Sequence, residues 1–439
     1  MIALQTLIRR WILPGLGVKR WFLLLVIGAG LLLAGLGISF YLAEQRGWLP
    51  PSLVTILTLA FLPDWARIWF PVGVGAFLLY WSGQRLVANL VAPFRRDDAA
   101  ISESLYRYHS RRGRGPNIVA IGGGSGLPSL LRGLSQHTAN ITAIVTMADD
   151  GGSSGRLRRE LGLLPPGDLR SNMAALAADE ALMTQLLRFR FGKRFDGDSE
   201  ADGEISGHNF GNLLLAALTG ITGSFDEALL AAERVLAMRG RVLPSTLEQV
   251  TLLADVIVDG GAEVVRVEGE SEIPKAAGKI KQVYLNPADA AAYPPAIKAI
   301  FQADLIVLGP GSLYTSLIPN LLVPDLRAAL EHARAPLIYV CNLVSQAGET
   351  DGYSVADHVA AITAYLPASR LLTALANSNV RPVYAEPANS ANLHYNYVRP
   401  VPAQDVHLTT IDLVDPERPG RHDSAKLAQA VLAILDRGL

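Results

Sequence analysis

Two glycine-rich junctions and one compressed acidic and basic segment hold the residues of this 439-residue chain best suited to chemistry. Gly122-Gly123-Gly124-Ser125-Gly126 follows the apolar run Asn117 to Ile121, and glycines at the end of a strand let the backbone come close to a phosphate. Pro128 suits the first turn of a following helix, where a missing N–H costs nothing. The loop is not the dinucleotide fingerprint, because the third glycine of that pattern falls at Leu127, and it is not a P-loop, because no Gly-Lys-Ser/Thr follows. Both departures count against NAD and against a Walker-type ATPase.

The segment Met147 to Arg170 is the densest in chemistry. Asp149 and Asp150 suit ribose or sugar hydroxyls, or a divalent metal, at the end of a strand. Gly151, Gly152, Ser153, Ser154 and Gly155 read as a flexible run of N–H and hydroxyl donors. Arg156, Arg158 and Arg159 supply charge for phosphate, and Asp168 and Arg170 return after a Pro-Pro-Gly turn. If the chain is an enzyme, Asp149 and Asp150 are the candidates to position a metal or deprotonate an acceptor hydroxyl. No other metal cluster and no nucleophile triad stands out in the sequence.

Two further junctions join these. His208, Asn209 and Asn212 stand at a helix start, placed either to bond a ligand or to cap the helix. Gly309, Gly311 and Ser312 form a second strand-to-helix turn suited to an anion. The nearby run Asn342 to Tyr353 adds Asn342, Glu349, Thr350 and Asp351, as ligand groups or as caps.

These residues need strands that end where helices begin. From Asn117 onward, short apolar runs alternate with longer amphipathic ones, the pattern of parallel strands joined by helices. Asn117 to Ile121, Ile141 to Met147, Ala303 to Leu308 and Pro336 to Cys341 read as strands, and Leu127 to Leu134 and Ser424 to Leu435 as helices. Alanine and leucine at helical spacing predict a helical insertion over Ala174 to Leu253. The expected fold is α/β, a Rossmann-like doubly wound parallel sheet over 117–439 with that insertion, preceded by two transmembrane helices.

Trp21 to Ala43 carries no charge and is long enough to cross a bilayer core of about 30 Å. A second span is expected at about 68–87, because Asp64 and Arg67 would each cost about 2.5–3.5 kcal/mol at the membrane centre. Basic residues before the first span and after the second place both ends, and the globular domain, in the cytoplasm at the inner or plasma membrane. Residues 1–95 thus read as an anchor and 96–116 as a basic linker. A net charge of −1 argues against a nucleic-acid partner. The single cysteine, Cys341, ends an apolar run and reads as a buried structural thiol.

Taken in order, IGGGSGL, TMADDGGSSGRLRRELGLLPPGDLR, GHNFGNLLLAALT, RVLPSTLE, LGPGSLYTSLIPNLLVP and CNLVSQAGETDGYSVADHV resemble the CofD-like superfamily, and within it the YvcK branch, the gluconeogenesis factors. Members usually carry Thr where this chain has Ser125, and they usually lack the amino-terminal spans. The resemblance implies a UDP-sugar ligand, with UDP-N-acetylglucosamine foremost, no tightly bound cofactor, and a link between carbon metabolism, peptidoglycan synthesis and cell shape. It implies cell-wall synthesis enzymes as partners, with a homo-oligomer an open alternative, and it sets Arg421 near the nucleotide. The alternative within the superfamily is a 2-phospho-L-lactate transferase-like phosphotransferase acting on a nucleotide-linked phospholactate donor and a deazaflavin acceptor. The run GGSSGRLR directly after Asp149-Asp150 favours the YvcK branch.

Overall fold

The computed structural model describes residues 115–437 except 179, 193–204, 259–262, 277, 381–395 and 405, together with isolated positions before residue 70. Two compact units divide the chain, 1–111 and 112–439. The expected spans at 21–43 and 68–87 lie almost wholly outside the described residues. Among those described, no single helix is long and apolar enough to cross a membrane.

The second unit opens with β1 (Ile118–Gly122), α1 (Leu127–Leu134), β2 (Ile141–Val145), α2 (Gly152–Leu161), α3 (Gly167–Leu176), α4 (Glu180–Arg188), α5 (Phe210–Thr222) and α6 (Phe225–Val235). Four strands come next, β3 (Arg241–Pro244), β4 (Thr251–Val258), β5 (Glu263–Glu268) and β6 (Lys279–Asn286). The chain continues with α7 (Pro294–Gln302), β7 (Leu305–Leu308), a π-helical turn Leu313–Leu317 that runs into α8 (Ile318–Leu321), and α9 (Pro324–His332). It ends with β8 (Leu337–Val340), α10 (Val355–Thr363), β9 (Thr373–Asn377), β10 (His407–Ile411) and α11 (Ser424–Asp436).

Seven strands form one sheet in the order β10-β9-β8-β7-β1-β2-β3, with every neighbouring pair parallel. β1, β7, β8 and β9 are buried at every residue, as strands covered on both faces must be. Winding runs one way from β1 through β2 to β3 and the other way from β7 to β10, so the direction reverses between β1 and β7. In such sheets the crevice at the reversal, beyond the carboxyl ends of the strands, is where ligands bind. Both glycine junctions stand there.

The expectation of an all-helical Ala174 to Leu253 needs correction, because β3 and the start of β4 lie inside it. Composition misled there: Arg241–Pro244 is four residues long and gains its strand character only by pairing with β2. A second sheet, β5-β4-β6, is antiparallel and was not foreseen. The expected flexible run Gly151 to Gly155 is also corrected, since α2 begins at Gly152, with Ser153 and Ser154 buried in its first turn. Its final-turn arginines, Arg158 and Arg159, favour the helix because cations suit a helix carboxyl end.

Cys341 is fully buried at the end of β8, and burial pushes its thiol up to about 12. A thiol-specific reagent at pH 8 is therefore expected to leave the folded protein unmodified and to label one thiol after denaturation. Rapid labelling of native protein would contradict this placement.

Candidate functional site

The glycine junction after β1 is held by side chains from two helices. A Cβ on Gly123 would lie 2.5 Å from the Cβ of Ser316 and 2.8 Å from Oδ2 of Asp168, and one on Gly124 would fall on the Asp168 carboxylate. A Cβ on Gly126 would meet the carbonyl oxygen of Pro310, and one on Gly309 would meet the Leu127 side chain. The two junctions therefore touch backbone to backbone. Leu127 fills the space beneath Gly309, so the third glycine of a dinucleotide fold has no place here.

The helix starts around the crevice differ in what fills them. α1 begins after Gly126 with no side-chain cap, and neither α2 nor α3 has one. In the first turn of α1 Pro128 has no N–H and Ser129 donates its own to the Gly126 carbonyl at 3.0 Å, so it is the N–H groups of Ser125, Gly126 and Leu127, where the helix carries partial positive charge, that α1 offers to an anion. The helix start after β7 is already filled. Glu349 accepts hydrogen bonds from the Tyr314 N–H at 3.2 Å, the Thr315 hydroxyl at 2.9 Å and the Gln346 amide at 2.7 Å. Asn342 also accepts the Gly311 N–H at 2.8 Å and donates to the Gly311 carbonyl at 2.7 Å. The expected anion site at Gly309, Gly311 and Ser312 thus carries a carboxylate of the chain itself.

Asp149 and Asp150 turn apart rather than acting as a pair. Asp149 accepts the Gly151 N–H at 3.0 Å and the Ser154 hydroxyl, and it sits over Gly167, where a Cβ would lie 2.5 Å from its Oδ2. Burial raises its pKa. Asp150 accepts the Ser271 N–H at 3.0 Å and so anchors the loop after β5. That loop also brings in Glu270, which sequence reasoning missed. Burial, then the charges of Asp149, Asp168, Asp150 and Glu349, push Glu270 up to about 8. Asp168 is likewise raised to about 7, by burial first and by Asp149 second, although it accepts the Gly124 N–H. Among the described residues, no group of three or more His, Cys, Asp or Glu side chains gathers as metal ligands.

The remaining expected residues bond to other parts of the chain. Arg156 donates to the Ser206 carbonyl at 3.1 Å, and Arg158 reaches Thr251 at 3.4 Å. Arg170 bonds Asn212 at 3.3 Å, and its charge acts on Asp168 and Asp149, while burial lowers its own pKa. Asn209 caps α5 by accepting from Gly211 and Asn212, and Asn212 donates to Ser154 at 3.3 Å. His208 is buried with its Nδ1 3.2 Å from the Ser153 hydroxyl; burial and Arg156 lower its pKa. Arg421 is exposed and bonds through its backbone to Asp415 and Arg418, neither of which belongs to the glycine junctions. Asp423 caps α11.

This arrangement offers an open helix end for a phosphate, beside carboxyls that are partly protonated near neutral pH and suited to hydroxyl groups. Two buried asparagines beneath the first junction, Asn172 and Asn320, were also missed by sequence reasoning. Asn172 stands one helical turn after Asp168, and that i, i+4 spacing was the available signal.

Comparison with known proteins identifies the family and the fold. The family model described as 2-phospho-L-lactate transferase CofD matches residues 118–410. A Nostoc protein named "Putative gluconeogenesis factor" is 49% identical over 362 residues, covering 81% of this chain and 75% of its own. The "Gluconeogenesis factor" of Bacillus subtilis is 47% identical over 266 residues, 61% of this chain and 80% of its own. The crystal structure of a UPF0052 family member from Bacillus halodurans matches with a TM-score of 0.63 at 40% identity, covering 72% of this chain and all of that one.

Proposed function

The chain belongs to the CofD-like superfamily, in its YvcK or gluconeogenesis-factor branch, and on that premise we propose that its crevice binds a nucleotide-linked sugar, with UDP-N-acetylglucosamine the first candidate. The observation that carries the reading is the uncapped start of α1 at the β1/β7 reversal, beside a second helix start already filled by Glu349. The diphosphate is assigned to Gly122–Gly126 and the first turn of α1. Sugar and ribose hydroxyls are assigned to Asp149, Asp168 and Glu270. A diphosphate so close to these carboxyls needs protons or a divalent cation between the charges, which gives a metal a role without a dedicated cage.

In this reading the protein reports rather than transforms its ligand. Its bound state signals precursor supply to cell-wall synthesis enzymes, coupling carbon metabolism to wall synthesis and cell shape. The two apolar segments before residue 96 would hold the domain at the cytoplasmic face of the membrane.

One observation favours a second reading, a transferase related to the 2-phospho-L-lactate enzymes. Asp168 at about 7 and Glu270 at about 8 titrate where a general base for an acceptor hydroxyl works best. Calorimetric titration of the full-length protein with UDP-N-acetylglucosamine, NAD and GTP, followed by product analysis with a nucleotide-linked phospholactate donor, a deazaflavin acceptor and magnesium, separates the two. Binding of the UDP-sugar without consumption is the expected result. Metal-dependent transfer to the deazaflavin would establish the second reading, and binding of NAD alone would overturn both.

A further inference from the structure

Asn172 on α3 and Asn320 on α8 are 0% and 1% exposed, and each gives its amide nitrogen to carbonyls of the chain. Asn172 donates to the Gly123 carbonyl at 3.0 Å and to the Asp168 carbonyl at 2.8 Å. Asn320 donates to the Gly122 carbonyl at 3.2 Å, to that of Ser316 at 2.9 Å and to that of Leu317 at 3.3 Å. The Oδ1 atom of each is buried without a partner among the described residues. A leucine would fill either space with no orphaned oxygen, so packing alone does not account for an amide at either position.

The carbonyls they hold belong to consecutive peptides of the glycine junction. In a trans peptide the N–H points opposite to the carbonyl, so fixing one fixes the other. The Gly123–Gly124 peptide is held at both ends by one face of α3: its carbonyl on Asn172, and its N–H on Asp168 four residues earlier. The carbonyl of the Gly122–Gly123 peptide is shared between Asn320 of α8 and the Thr146 N–H just after β2, at 3.2 Å each. Glycine has no side chain to resist peptide rotation, so an unclamped run of three would sample many orientations.

We propose that Asn172 and Asn320 are positioning residues that clamp the glycine junction from two sides. They hold the carbonyls of Gly122 and Gly123 inward, so that no carbonyl oxygen of the junction turns to an anionic ligand and the chain is delivered to the α1 start in one orientation. The ligand arm of the test rests on the nucleotide-sugar reading, whereas the clamp itself is a property of the free protein.

The test compares full-length wild type with Asn172→Leu and Asn320→Leu, and with Asn172→Ala and Asn320→Ala, which lose the donor and add no titratable group. Hydrogen exchange of the ligand-free proteins is expected to accelerate at least about tenfold at Gly124, whose N–H is held by Asp168, with Ile118–Ile121 of β1 unchanged. Affinity for UDP-N-acetylglucosamine is expected to fall about tenfold or more, with the thermal midpoint of the leucine variants equal to or above wild type. Wild-type exchange at the junction would overturn the proposal. So would loosening that spreads through β1 with a lowered midpoint, the result of a packing role. If a leucine variant fails to fold, the alanine variant carries the same comparison. If wild type binds no UDP-sugar, the functional reading fails and the exchange comparison still decides the clamp.

Discussion

Replacing Gly126 by alanine is expected to weaken ligand binding about 10- to 100-fold while the sheet stays folded. The new methyl would land on the carbonyl oxygen of Pro310 and 2.8 Å from the amide nitrogen of Gly311. Both are backbone atoms, so no flexible side chain can yield, and the two junctions must part by something on the order of an ångström. Overpacking of this kind costs about 1–3 kcal/mol. The displacement falls at the β1/β7 reversal, where the open end of α1 stands, so the damage concentrates on the ligand. Gly220→Ala is the matched control, because a Cβ there meets nothing within 4 Å and alanine suits the helix better. Calorimetry should find the control unchanged in affinity; equal affinities for both variants would show that the junctions do not form the site.

Glu270→Gln is expected to stabilise the protein at pH 8 and to make no difference near pH 4. The folded carboxyl titrates at about 8, against an ordinary value of 4.5, because it is buried among Asp149, Asp168, Asp150 and Glu349. Between those two values the folded state holds a proton that the unfolded chain has released. Wild-type stability therefore falls as pH rises from 4.5 to 8, and glutamine, which stays neutral, escapes the loss. Asp168, raised to about 7, adds a contribution of the same sign that ends one step lower. Allowing for solvent access to Glu270, the gain at pH 8 is on the order of 1–2 kcal/mol, a rise of a few degrees in Tm. Melting curves at pH 5 and pH 8 test this, and a variant less stable than wild type at pH 8 would show that the charge of Glu270 is paired rather than crowded. A divalent cation or a hydroxyl-rich ligand should narrow the difference, since either relieves the crowding.

The parts of the fold carried by hydrophobic runs were legible in the amino-acid sequence. Leu127–Leu134 is a helix at the expected bounds, and the strands at Ile118, Ile141, Leu305 and Leu337 fall where apolar runs end in glycine or polar turns. β3 was not legible, because four residues of Arg-Val-Leu-Pro carry too little pattern and owe their state to a neighbour. The small antiparallel sheet was hidden for a similar reason: β5 is exposed on both sides at nearly every residue, so it shows no alternation to detect. At the site, types and spacing located the junctions but not the division of labour among side chains. Glu349 serves a helix end thirty-five residues earlier in the chain, and Glu270 joins Asp149 only because the loop after β5 folds back onto Asp150. Long-range contacts of this kind leave no local trace. The arginines illustrate the same limit of local reading, since Arg156 and Arg158 reach the Ser206 carbonyl and the Thr251 hydroxyl, partners 50 and 93 residues away.

The central claim is that a nucleotide sugar lies at the β1/β7 reversal with its diphosphate on the start of α1. A crystal structure of the protein with UDP-N-acetylglucosamine tests it most directly. Phosphate oxygens are expected within hydrogen-bond reach of the N–H groups of Ser125, Gly126 or Leu127, with Glu349 still bonded to Tyr314 and Thr315. A diphosphate seated instead on Tyr314 and Thr315, with Glu349 displaced, would contradict it.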